Sequence, residues 1–289
     1  MIPRAFITHW GNRAPWPTET QIEQDLILSR LIVEIANHGL LGNELAMRGG
    51  TCLHKLHLPA PLRYSEDLDY VRRTQGGVAP IMAAVREITT STGLIENGYE
   101  QNFQMVHMVF DGEPTSGVGR IRIKIETNVR EIEGFEARVT LPYEVDSPWW
   151  NGDADVPTFS IEELMGTKLR ALYQRRKGRD VFDLWLALTA LDPDVERIIG
   201  AFRHYIGDDI FGFGDLARNL MAKLANREFC EDLDQLVAET PAGYTLDTAA
   251  DLVMKRLGVL LDGAPDLSEI DDGAWRSYEG KSRGERLRP

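Results

Sequence analysis

Residues 63–71 read Arg-Tyr-Ser-Glu-Asp-Leu-Asp-Tyr-Val. From Ser65 onward the stretch alternates, with Asp67 and Asp69 on one face and Leu68 and Tyr70 on the other, which predicts a strand. Two carboxylates at i and i+2 of a strand stand about 6–7 Å apart and repel one another when buried. A divalent cation between them removes that conflict. Mg²⁺ in particular prefers one or two carboxylates, completed by phosphate oxygens and water.

Just upstream stands Gly49-Gly50-Thr51. The pair of glycines opens a helical stretch predicted over residues 51–58, ended by Pro59 and Pro61. Backbone N–H groups at such a helix start suit a phosphate. Each feature alone is common, since acidic pairs occur on solvated faces and Gly-Gly often only turns the chain. Together they supply both a phosphate cradle and metal ligands, which one phosphoryl chemistry needs side by side. Downstream, residues 120–126 read Arg-Ile-Arg-Ile-Lys-Ile-Glu. The isoleucines fill one face of a strand, leaving Arg122, Lys124 and Glu126 on the other. That second face is either a solvated side or the place where Glu126 joins Asp67 and Asp69 as a third carboxylate of a two-metal site.

Around this core the pattern predicts a helix over residues 19–38, with capping-box spacing at Thr20 and Glu23 and a terminating Gly39. A further helix is expected over 80–93, and strands over 103–110 and 119–127. The Pro-, Trp- and Gly-containing stretch 147–157 is the best candidate boundary, dividing the chain into 1–157 and 158–289. Beyond it helices are predicted over 160–176, 179–191, 194–206, 214–225, 228–238 and 246–261. Residues 207–214 are expected to be a connector, and the charged tail after Gly263 to be loose.

The first of these C-terminal helices places Lys168 on its apolar stripe, where lysine is seldom buried without a partner. It either snorkels, pairs with an acid or reaches a triphosphate. Asp180 and Asp183 follow at i and i+3 on the next helix; Asp180 suits its N-terminus, and Asp183 is placed to hold Lys168 or Arg179. Residues 168–179, Lys-Leu-Arg-Ala-Leu-Tyr-Gln-Arg-Arg-Lys-Gly-Arg, hold cations and no acid. The whole chain nonetheless carries a net charge of −13, which argues against broad nonspecific DNA binding and for a narrow phosphate or RNA-end contact. His54 and His57 lack zinc-protease spacing. The two cysteines, Cys52 and Cys230, are in no metal-ligand spacing. With no apolar leader and no run long enough to span a bilayer, a reduced cytoplasmic protein without a membrane segment is expected.

Taken in order, Gly49-Gly50-Thr51 with Lys55, Arg63-Tyr-Ser65-Glu-Asp67-Leu-Asp69, Lys168 with Ala171, and Arg179-Asp180 with Asp183-Leu184 resemble the AbiEii-type nucleotidyltransferase toxins, of the DNA polymerase β-like superfamily. The resemblance extends over about residues 20 to 190. It implies an α+β, bilobed protein, with a mixed nucleotidyltransferase sheet flanked by helices and a C-terminal helical bundle. It further implies Asp67 and Asp69 as catalytic metal ligands and Gly49, Gly50, Thr51, Lys55 and Ser65 at the nucleotide. Lys168 would bind the triphosphate, and Asp183 would be the acid of the last motif. Mg²⁺, with Mn²⁺ as the alternative ion, is the implied cofactor. The implied partners are an NTP, the 3′ acceptor end of tRNA, whose modification blocks aminoacylation, and a cognate antitoxin. The competing readings are a protein or small-molecule acceptor, and a catalytically silent binding partner.

Overall fold

In a computed structural model the chain is described over residues 2–207, 211–265 and 273–277. The tail expected to be loose lies mostly outside the described residues, as does the middle of the 207–214 connector. The Asp67–Leu68–Asp69–Tyr70 alternation forms a strand at the centre of the first of two compact units. That unit comprises residues 1–160 together with 235–239.

The elements of this unit run as α1 (Arg4–Gly11), α2 (Glu19–Asn37), α3 (Leu41–Glu44), β1 (Leu45–Arg48), α4 (Gly49–Cys52), a π-helical turn (Leu53–His57), β2 (Asp67–Arg72) and α5 (Ala79–Ser91). They continue as β3 (Ile95–Gln101), β4 (Met105–Gly112), β5 (Ile121–Asn128), β6 (Val139–Val145) and β7 (Gly152–Thr158). Five strands form one mixed sheet in the order β1-β2-β5-β4-β3, in which only the β2–β5 pair is parallel. The strands β6 and β7 pair separately as an antiparallel hairpin.

Alternation gives the sheet its two faces. Leu68 and Tyr70 of β2, Val106, Met108 and Phe110 of β4, and Ile121, Ile123 and Ile125 of β5 are buried. The helix α2 packs on β5 and α5. Burial of each large side chain contributes roughly 1.5–3 kcal/mol, so this apolar face is a large stabilising term for the unit. The opposite face of β5 presents Arg122, Lys124 and Glu126.

Several local expectations change. Helix α2 is capped by Thr18 and Gln21, whose side chains and backbones bond reciprocally. The predicted cap residues instead tie down the 115–118 loop: Glu23 accepts from the Thr115 amide and hydroxyl, and Thr20 donates to Val118 O at 3.0 Å. The helix ends at Asn37 with an extended His38, without a glycine cap. Stretch 147–157, expected as a loop, carries β7, because Ala154 and Val156 alternate inward against β6.

The second unit, residues 161–234 and 240–289, is helical in its described parts. It contains α6 (Ile161–Gln174), α7 (Arg179–Ala190), α8 (Val195–Ile206), α9 (Phe213–Leu224), α10 (Arg227–Cys230) and α11 (Leu246–Arg256). The helix expected over 228–238 is only the single turn α10; residues 235–239 return to the first unit, where Leu236 O accepts the Tyr64 amide at 2.6 Å.

Candidate active site

The chain enters the site at Gly49, which has φ +84 and follows directly on β1. Only glycine takes this backbone conformation without strain. Space forbids a side chain as well: a Cβ on Gly49 would lie 2.1 Å from Asp69 Oδ2, and one on Gly50 would lie 2.2 Å from Arg63 Nη2. The glycine pair therefore lets the start of α4 touch both the carboxylate of Asp69 and the buried Arg63 guanidinium. Thr51 fastens the far side of this turn. Its hydroxyl donates to Asp67 O at 2.6 Å and is 2.8 Å from Ser65 Oγ. Gly49, Gly50, Thr51, Ser65, Asp67 and Asp69 are thus brought together in one unit.

The neighbouring strand completes the charged surface. Parallel pairing sets Asp67 beside Lys124 and Asp69 beside Glu126. The Lys124 ammonium lies 3.8 Å from Asp67 Oδ2 and 2.5 Å from Glu126 Oε1, and His107 Nδ1 approaches Glu126 Oε1 at 3.0 Å. Burial pushes the Asp67 carboxyl up to about 7; Lys124 opposes the rise, and Asp69, Glu66 and Glu126 add to it. Burial acts to raise Glu126 too, but its hydrogen bond and attraction to Lys124, with help from His107, hold it below the ordinary carboxylate range. Asp67 therefore stands where negative charge is crowded and short of compensation, the condition a divalent cation relieves.

Among the described residues no group of three or more His, Cys, Asp or Glu side chains is gathered for a metal ion. The donor set nevertheless fits Mg²⁺, which takes few protein carboxylates and keeps water and phosphate oxygens. Asp67 and Asp69 would be the protein ligands, with Glu126 next to Asp69 in register.

Lys55 is placed differently from its expected role at the nucleotide. Its ammonium is 2.6 Å from Asp25 Oδ1 and donates to Ser29 Oγ at 3.0 Å, while Trp10 Nε1 donates to the same Asp25 oxygen at 2.8 Å. With its side chain 7% exposed, Lys55 anchors the π-helical turn to α2. The extra residue per turn of a π-helix is what re-aims this part of the helix.

In the helical unit, Lys168 lies 2.8 Å from Asp183 Oδ2 and 3.2 Å from Asp180 Oδ1, and all three side chains are buried. Arg175 grips Asp180 with two 2.8 Å hydrogen bonds. Burial works to raise Asp180, but Lys168 and Arg175 outweigh it and keep the carboxyl low. The cation-rich stretch 168–179 is likewise largely committed within the unit. Lys177 and Arg179 both pair with Asp232, and Arg170 donates to Tyr205 O at 2.9 Å. Asp180 and Asp183, which follow the stretch directly, and Asp232, distant in sequence, neutralise most of what reads locally as a basic patch.

Three members of the site carried no assigned role in the sequence reading. Arg63 lay inside the quoted motif, but its burial against Gly50 depends on the loop's path. Lys124 was visible on the polar face of β5, though not its position between two acids. His107 is brought to Glu126 by the β4–β5 register.

The family model for the AbiEii nucleotidyltransferase toxin of type IV toxin–antitoxin systems matches residues 30–254. The chain belongs to the AbiEii nucleotidyltransferase toxin family. Among solved structures, MenT4, a nucleotidyltransferase toxin of Mycobacterium tuberculosis, is similar with a TM-score of 0.62 at 17% identity, covering 96% of this chain and 94% of that one. JHP933 from Helicobacter pylori is similar with a TM-score of 0.52 at 16% identity, over 81% of this chain and 88% of that one. No match is found among curated proteins. At these identities the two structures bear on the fold, while membership of the AbiEii family indicates transferase activity. No helix among the described residues is long and apolar enough to cross a membrane.

Proposed function

We propose that this AbiEii-family chain transfers a nucleoside monophosphate from an NTP to the 3′ acceptor end of tRNA, blocking aminoacylation, and that it acts in the cytoplasm under the control of a cognate antitoxin. The observation that carries the transfer chemistry is the fit of Gly49 against Asp69, with Asp67 on the same strand face and held electrostatically short of positive charge. Mg²⁺ or Mn²⁺ bound by Asp67 and Asp69, with Glu126 beside them, would offset charge on the phosphates and steady the leaving pyrophosphate.

The chain's own groups position the reactants. The backbone at Gly49 and Gly50 lets a phosphate approach closely, and Ser65, oriented by Thr51, offers a hydroxyl to a phosphate oxygen. Lys124 supplies a cation between Asp67 and Glu126. Positioning and preorganised charge are the main sources of rate in phosphoryl chemistry.

A second reading keeps the transfer and changes the acceptor to a protein or small molecule. It is favoured by the internal pairing of stretch 168–179, which leaves fewer cations for RNA. Incubating the protein with Mg²⁺, total tRNA and each α-labelled NTP, beside Asp69→Ala, separates the two. Label in tRNA with the wild-type protein alone supports the tRNA reading. Label in a protein or small molecule moves the acceptor. Equal labelling by Asp69→Ala removes Asp69 from the chemistry.

A further inference from the structure

A cavity of about 430 Å³ opens on the polar face of the sheet, reaching from Glu126 and Lys124 across β4 to β3. Register explains its lining. Lys124 stands opposite Val109, and Glu126 opposite His107, which in turn is opposite Glu100. The cavity therefore begins at the carboxylate site and runs away from it, perpendicular to the strands. Arg122 lies on its wall, exposed. Arginines nearby are spent: Arg86 of α5 pairs with Glu96, and Arg120, just before β5, with Asp111. Among the described residues, the Arg122 guanidinium has no hydrogen-bond or ion-pair partner.

We propose that this cavity is the acceptor subsite, holding the nucleotide 5′ to the reacting hydroxyl of a single-stranded RNA end. The inference rests on the transfer reaction proposed above and adds where, and by which residues, its acceptor is held. Arg122 and Lys124, at i and i+2 of one strand face, stand about 6–7 Å apart. They follow a phosphate backbone leading out of the carboxylate site, as cationic grooves do for single strands. Glu100 and Asn97 line the opposite wall, where Glu100 and the Asn97 carbonyl offer acceptors to a sugar hydroxyl, the Asn97 amide being bonded to Asp111. A carboxylate facing a sugar favours RNA, because the 2′-hydroxyl is the donor DNA lacks. The mixture of two cations with acceptors suits a nucleotide better than an extended peptide, whose backbone presents no anion to Arg122.

The test is direct binding of a fluorescein-labelled single-stranded ribo-oligonucleotide ending in CCA, followed by anisotropy without NTP. Wild-type protein is compared with Arg122→Glu, with Val109→Trp, which fills the cavity without changing charge, and with Asp69→Ala. Both cavity variants are expected to weaken binding by about tenfold or more, with Asp69→Ala much closer to wild type. The deoxy version of the oligonucleotide should bind less tightly. Undiminished binding by both cavity variants, or no binding by the wild type, overturns the subsite. Oligonucleotide binding lost in the cavity variants while wild-type protein labels only a protein in the transfer assay would instead sink the proposed reaction, leaving the RNA site standing.

Discussion

Gly49 and Asp69 are fitted to each other so closely that a methyl group on the first would fall 2.1 Å from a carboxylate oxygen of the second. The turn and the strand acid are thus one unit of geometry, and either can be tested through the other.

Gly49→Ala is expected to cost about 1–2 kcal/mol of stability through its positive φ. It should also displace the Asp69 carboxylate and lower the transfer rate by about 100-fold, since misplacement by an ångström has that effect on positioned groups. Urea unfolding and single-turnover transfer read the two separately. A rate near wild type would show that the close approach has no part in the chemistry.

Lys55→Met separates two roles for the same lysine. Leaving the buried Asp25 carboxylate with only Trp10 as its hydrogen-bond donor among the described residues should lower stability by about 3 kcal/mol, with the KM for NTP unchanged. A KM raised about tenfold at full stability would return Lys55 to the nucleotide, where the motif pattern had put it.

Asp180 and Asp183, two of the buried acids of the helical unit, share Lys168. Lys168→Met is expected to destabilise the protein by about 3–5 kcal/mol, because it removes a cation from the buried carboxyls of Asp183 and Asp180. Adding Asp183→Asn should recover part of that loss. A single variant within about 0.5 kcal/mol of wild type in denaturant unfolding would contradict the pairing.

His57 carries a pH dependence of defined sign. Burial pushes its imidazole down to about 4 from an ordinary 6.5, and its Nε2 is buried with no hydrogen-bond partner among the described residues. As pH falls from 6.5 to 4, the unfolded chain takes up this proton before the folded one does. The contribution is therefore fully present above pH 6.5 and is lost toward pH 4. The loss is about 1–2 kcal/mol, given the group's partial exposure. His57→Leu should remove that part of the acid sensitivity; an unchanged difference between pH 7 and pH 4.5 would count against it.

The sequence carried the elements whose signals are local. The Asp67–Tyr70 alternation, the isoleucines of β5 and the amphipathic pattern of α5 each expose their period within a few residues. Strands β1, β3, β6 and β7 escaped notice: β1 is only Leu45–Arg48, β3 is exposed along most of its length, and β7 hides among turn-forming residues. At the site, the glycine turn and paired aspartates were legible because their chemistry depends on spacing. The destinations of Lys55 and Arg179 were not, since Asp25 and Asp232 lie 30 and 53 residues away from them and meet them only in the folded chain.

Residues 235–239 belong with the first unit although the chain on both sides of them is helical-unit sequence. Severing the gene after codon 160 would therefore strip the amide of Tyr64 of its partner, Leu236 O, immediately beside Ser65. The first unit is thus not encoded by one uninterrupted stretch of the gene. A frameshift in the far third of the gene would reach back into the loop that carries the site's serine.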